Sequence, residues 1–218
     1  MAPKEPKPRQ ANGLPKLDQG AFTAKTAGAI ILVSFTVGQC ITWPIYLFGD
    51  TYGYDQKIDM LASWKLGWLY LALPLIYYTR QLVSMNASIT RISTDVPPPH
   101  MYVYKVMTPG DKDKLPYVLL EEDGPVGRAN RAQRGIDNLM EYLPLYVAYV
   151  LAGGFVFPFP VFVNVVMFMV SRITYARGYT QSAADRQKGF VLFGLTQMNM
   201  EGYVVIAAAK ALLRQGYF

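Results

Sequence analysis

The amino-acid sequence predicts an all-α protein that crosses a membrane, and three observations carry this. Hydrophobic residues make up 52 % of its 218 residues and aromatic residues 14 %, and aromatic rings at this density collect where membrane meets water. Several apolar stretches reach the roughly 20 residues a helix needs to cross a bilayer. The basic residues, finally, fall mainly on one side of a consistent path through those stretches, which explains a net charge of +6 without a nucleic-acid partner. A single cysteine, Cys40, leaves no intrachain disulfide and no Cys-rich metal centre, and no metal site is expected.

Residues 1–25 form a Lys- and Pro-rich tail. It has no apolar core after its basic start, so it does not read as a secretory leader. Its prolines also argue against an amphipathic helical presequence. Residues 26–59 supply a first span, about 28–48, and a loop. Cys40 sits mid-span and is expected to be a buried small hydrophobe. A second span is expected over about 60–83, containing WLYLALPLIYY. The stretch 84–127, with DVPPPH and TPGDKDKLP, carries too many helix breakers for a long helix and is expected to be a loop. Within it PYVLLEEDGPVG predicts a short strand or turn, and His100, the only histidine, follows three prolines and is expected at the surface.

A third span is predicted over about 138–157. FPFP at 157–160 makes a tight reversal into a fourth, about 161–176, and a fifth covers about 189–213. With five spans, the tail (Lys4, Lys7, Arg9, Lys16, Lys25), the long loop (Arg91, Lys105, Lys112, Arg128, among others) and the connection after span four (Arg177, Arg186, Lys188) share one face. The positive-inside rule makes that face cytosolic or its organellar equivalent.

The chemistry concentrates in RANRAQRGIDNLMEYLPLYV, residues 128–147. At about 100° per residue, Arg131, Arg134, Asn138 and Glu141 share a helix sector of roughly 80°, flanked by Tyr142. Ionised groups at membrane depth cost several kcal/mol unless paired or hydrated, so they face a bundle interior or a cavity. Glu141 either pairs with Arg134 or a neighbouring helix, or it meets a ligand. A second cluster, SRITYARGYTQSAADR, places Tyr175 and Tyr179 one turn apart, with Arg172 before and Arg186 after them. Both clusters reach the basic face. A cavity between them, lined by guanidinium groups, phenols, an amide and a carboxylate, suits a small anion bearing several carboxylates and an ammonium.

Two patterns, Arg134-x-x-x-Asn138-x-x-Glu141-Tyr142-x-Pro144 and Arg172-x-x-Tyr175-x-x-Gly178-Tyr179 followed by Arg186, resemble the MAPEG family. These are membrane-associated proteins of eicosanoid and glutathione metabolism, among them microsomal glutathione transferases and leukotriene C4 synthase. The resemblance implies a four-helix transmembrane bundle over residues 60–218, with residues 26–59 as an additional N-terminal helix. It implies a homotrimer that binds glutathione as co-substrate between protomers near the cytosolic face. On this resemblance Arg134, Asn138, Glu141, Tyr142, Tyr175 and Tyr179 hold the tripeptide, and Arg186 stabilises its thiolate. Arg80 matches an arginine closing the family's first helix, with Arg91 as competitor. Arg131 offers a second register for the leading arginine. Gln181 stands where some relatives carry a further cation.

Two functions stay open. One is a glutathione transferase or peroxidase that takes lipophilic electrophiles or lipid hydroperoxides from the bilayer. The other is a structural subunit of a larger membrane complex, respiratory or ATP-synthesising, for which the extra span and long loop supply contact surface. A non-catalytic lipid-binding adaptor is a third, lesser reading. Endoplasmic reticulum and mitochondrion both fit.

Overall fold

In the computed structural model the described residues are 24–96, 102–105 and 119–216. They form six helices and one two-residue ladder: α1 (Ala24–Phe48), α2 (Thr51–Ser63), α3 (Gly67–Ser93), β1 (Tyr104–Lys105), β2 (Leu119–Leu120), α4 (Gly124–Val156), α5 (Pro158–Gln181) and α6 (Gln187–Arg214). The tail before residue 24, His100 and most of the TPGDKDKLP stretch lie outside the described residues.

Four helices, α1, α4, α5 and α6, are each long and apolar enough to cross a membrane, and α2 with α3 qualifies only as a pair bent by 100°. The expected unbroken span over 60–83 is therefore corrected. Its first residues close α2, Lys65 adopts a left-handed φ of 59°, and a new helix starts at Gly67. α2 is capped at its start by Asp50, whose carboxylate accepts the Gly53 N–H at 3.1 Å, and it buries no residue.

The loop expected over 84–127 is shorter at both ends. α3 runs on to Ser93 because SMNASITRIS keeps a helical period, burying Val83, Ala87 and Thr90 against the bundle. Its Asn86 amide donates to the Thr180 hydroxyl at 2.9 Å. The breakers act only from Asp95, which has a positive φ of 54°. α4 likewise begins at Gly124 rather than near 138, with Pro125 in its first turn, where a missing N–H costs nothing. The strand expected in PYVLLEEDGPVG appears as β2, antiparallel to β1 with Tyr104 opposite Leu120. FPFP turns the chain as expected, between the end of α4 at Val156 and the start of α5 at Pro158.

α3, α4, α5 and α6 pack together into the bundle. Ala72, Leu139, Tyr146, Val150, Phe168 and Met200 are fully buried at its centre. Lipid is as apolar as these side chains, so close packing and interhelical hydrogen bonds hold such a bundle. One buried chain crosses three helices: the Tyr146 hydroxyl donates to Asn164 Oδ1 at 3.0 Å, and Asn164 Nδ2 donates to the Thr196 carbonyl at 3.2 Å. α1 stands apart. It touches mainly α2 and α3, and Ala27 is its one buried residue among those described. Cys40 is accordingly exposed on α1 rather than buried, because none of the described residues covers it.

Candidate functional site

The polar end of the bundle is built on the first half of α4, which rises above the apolar stretch. The buried Asn130 ties the connecting segment to it. Its amide donates to the carbonyls of Val103 and Glu121, both at 2.8 Å, and its oxygen accepts the Val103 N–H at 3.0 Å. The Tyr102 hydroxyl donates to Asp137, which also accepts from Gln133 at 3.0 Å, and Arg91 donates to Gln133 at 2.7 Å. Burial first, and the Asp137 carboxylate second, push the Tyr102 phenol well above its ordinary range, so it remains a hydrogen-bond donor.

Arg131 and Arg134 part company at this point. Arg131 turns to the C-terminus of α5, donating to the carbonyls of Tyr179 and Gln181, both at 3.2 Å, and to that of Glu122 at 2.5 Å. A cation there meets the negative end of the helix dipole and satisfies orphan carbonyls. Arg134 instead reaches about two turns along α4 and pairs with Glu141 at 3.0 Å, with both side chains about half exposed. Of the two registers, the geometry gives Arg134 the free sector and Arg131 a capping role.

The α5 residues converge with these. Arg172 is buried to 1 % exposure. It donates one hydrogen bond, from Nη2 to Asn138 Oδ1 at 2.9 Å, and its guanidinium lies over the rings of Tyr175 and Phe193 at 4.9 and 4.7 Å. Its Nε and Nη1 are buried without a partner. Tyr142 meets Phe193 edge-on at 5.0 Å, and the rings of Tyr175 and Tyr179 lie 5.7 Å apart. Arg186, at the start of α6, stacks over Tyr179 at 4.9 Å. A small cavity of about 190 Å³ opens here, lined by Arg131, Arg134 and Tyr179 on one side and by Glu121, Glu122 and Asp123 on the other.

The structure thus brings together Arg131, Arg134, Asn138, Glu141, Tyr142, Tyr175, Tyr179 and Arg186 across α4, α5 and the start of α6. Arg80 lies apart on an exposed face of α3, and no contact among the described residues links it to this group. Arg172 is the residue that sequence reading under-used. The sequence places it in the second cluster without a role, and only packing shows that it joins Asn138 to Tyr175. The Tyr102–Asp137–Gln133 network was also missed, since it joins residues far apart in the chain.

These features define an all-helical integral membrane protein with a cluster of arginines and phenols at one end of its bundle. The chain belongs to the MAPEG family, whose model matches residues 66–206, well over half of its length. The match starts at α3 and ends within α6, leaving α1 and α2 outside. No curated protein matches the chain.

Proposed function

We propose that the protein is a glutathione-dependent membrane transferase or peroxidase whose site is completed by a neighbouring copy of the chain. The observation that carries this reading is the half-exposed Arg134–Glu141 pair beside Asn138, Arg172 and the phenols of Tyr175 and Tyr179. Glutathione offers two carboxylates, an ammonium and a thiol. Arg134 and Arg172 suit the carboxylates, Glu141 the ammonium, and the tyrosines the peptide groups. Arg172 supports the fit further, because its two unpartnered buried nitrogens are donors awaiting an acceptor.

The cavity of one chain, about 190 Å³, is below the roughly 300 Å³ at which small-molecule pockets begin. Glu141, Tyr142 and, on another face, Arg80 point outward from the bundle. A second copy laid against the first would enclose the outward residues and bring an Arg80 to them, which suits a homotrimer.

Arg186 carries the chemistry. A free thiol has a pKa of about 8.5, so little of it is thiolate at neutral pH. A guanidinium held by stacking on Tyr179 keeps its charge and lowers that value by stabilising the anion. The thiolate then attacks an electrophilic carbon presented from the bilayer, forming a C–S bond and expelling or protonating the displaced group. With a hydroperoxide, two thiols are oxidised to a disulfide as the O–O bond is reduced to alcohol and water. Arg186→Ala should abolish turnover and leave glutathione binding largely intact. Undiminished turnover would remove Arg186 from this role.

A second reading has its own observation. α1 and α2 lie outside the family match, and α1 presents a nearly unburied apolar surface. This suits a structural subunit of a larger membrane complex. Size and glutathione binding of the detergent-extracted protein distinguish the two. A homotrimer that binds glutathione supports the enzyme, and a chain that emerges only within a hetero-complex supports the subunit.

A further inference from the structure

A second, larger hollow lies at the other end of the bundle from the polar site. It is an open groove of about 740 Å³ between the α2–α3 bend and the FPFP reversal, lined by Lys65, Trp68, Leu71, Val156 and Phe159. Its walls are overwhelmingly apolar carbon. Trp68 is fixed in place by edge contact with Phe159 at 5.1 Å and by Phe162 at 5.0 Å. Trp64, four residues earlier across the break, packs on Phe155 at 6.0 Å. Aromatic residues gathered at a helix end mark the depth where acyl chains give way to headgroups.

The rim carries a cation at the same depth. Lys65 sits in the break between α2 and α3, held there by a positive φ of 59°. It is exposed, and among the described residues it makes no ion pair. The same backbone turn that opens the groove therefore sets an uncompensated ammonium at its mouth.

An apolar trough ending in a lone cation at the interface is complementary to one class of molecule. We propose that this groove is a binding site for an anionic phospholipid, with one acyl chain along Trp68, Leu71 and Phe159 and its phosphate at Lys65. The site is independent of glutathione and of the polar end. Its apolar walls lie within the stretch the family model matches, while Ala62 and Lys65, just before that stretch, supply the rim and the cation. The trough selects for an acyl chain, and the single positive charge selects against headgroups that bring a cation of their own.

The test uses the full-length protein in detergent, incubated with phosphatidylglycerol or phosphatidylcholine and examined by native mass spectrometry. The wild type should retain phosphatidylglycerol at a several-fold higher fraction than phosphatidylcholine. Leu71→Trp, which fills an exposed part of the trough, should lose retention of both. Lys65→Glu should keep the acyl-chain binding and lose the preference. Equal retention of both lipids by the wild type, or unchanged retention in Leu71→Trp, overturns the proposal. A measurement without a groove mutation guards against misfolded variants. In a Trp43→Phe background, which leaves Trp64 and Trp68 as the fluorophores, phosphatidylglycerol with brominated acyl chains should quench emission saturably. Quenching no stronger than with brominated phosphatidylcholine overturns the proposal equally.

Discussion

Substituting Gly189 should separate α5 from α6 at the polar site. Gly189 lies in the first turn of α6, and a Cβ built on it would stand 2.3 Å from the Tyr175 nitrogen, 2.5 Å from its Cα and 2.8 Å from the Ser171 carbonyl oxygen. All three are backbone atoms of α5, so no side chain can rotate away. Restoring ordinary contact requires the two helices to part by about 1 Å, and overpacking of this kind costs roughly 1–3 kcal/mol in a close-packed interior. The movement also displaces Arg186, three residues earlier, from Tyr175 and Tyr179. Gly135→Ala is the matched control, because its nearest neighbours are the Cα and Cβ of Ala176, both at 3.6 Å, an ordinary contact. Thermal unfolding in detergent, followed by helical circular dichroism, should show Gly189→Ala melting several degrees lower and Gly135→Ala close to wild type. Glutathione affinity should fall in Gly189→Ala alone. Wild-type melting in Gly189→Ala would refute the close approach of α5 and α6.

Arg172→Met should change stability little, since it relieves an incompletely paired buried charge while leaving Asn138 Oδ1 without its donor. The same variant should bind glutathione at least about tenfold more weakly, roughly 1.4 kcal/mol. Calorimetric titration and melting read the two effects separately, and a large loss of stability would make Arg172 structural instead. Arg131→Ala should destabilise by about 1–2 kcal/mol through loss of the α5 cap, seen as a lower melting temperature. The Tyr102 phenol is raised above its unfolded value of about 10, so its contribution is complete below that pH and declines as pH rises beyond it. Tyr102→Phe should therefore flatten the alkaline loss of stability measured by melting across pH 9 to 11, and an unaltered slope would discount the Asp137 bond.

The helical spans and the FPFP reversal were legible because apolar runs and paired prolines are local signals. The break at Lys65 was not, since WKLG carries no proline and its left-handed residue is a lysine rather than a glycine. The two ends of the long loop were misjudged for a related reason. Beyond Val83 the stretch SMNASITRIS is too weakly apolar to announce a helix, yet its Ala87 and Thr90 are buried and α3 runs ten residues past the expected limit to Ser93. At the polar site, helical spacing placed Arg134, Asn138 and Glu141 on one face and their mutual proximity followed. Arg131 shares that face, but its length and its position one turn earlier let it reach the α5 terminus, a choice set by tertiary geometry. Arg172 escaped selection because burial is invisible in a single helix.

The Tyr146–Asn164–Thr196 relay has a mechanical consequence. It fastens three helices at mid-depth through bonds that have no water to replace them, so the helices cannot slide or rotate freely past one another at that level. Any parting of α4, α5 and α6 that admits a ligand must then pivot about this fulcrum, as the arms of tongs do. Displacement grows with distance from the pin and is greatest at the end where the arginines lie.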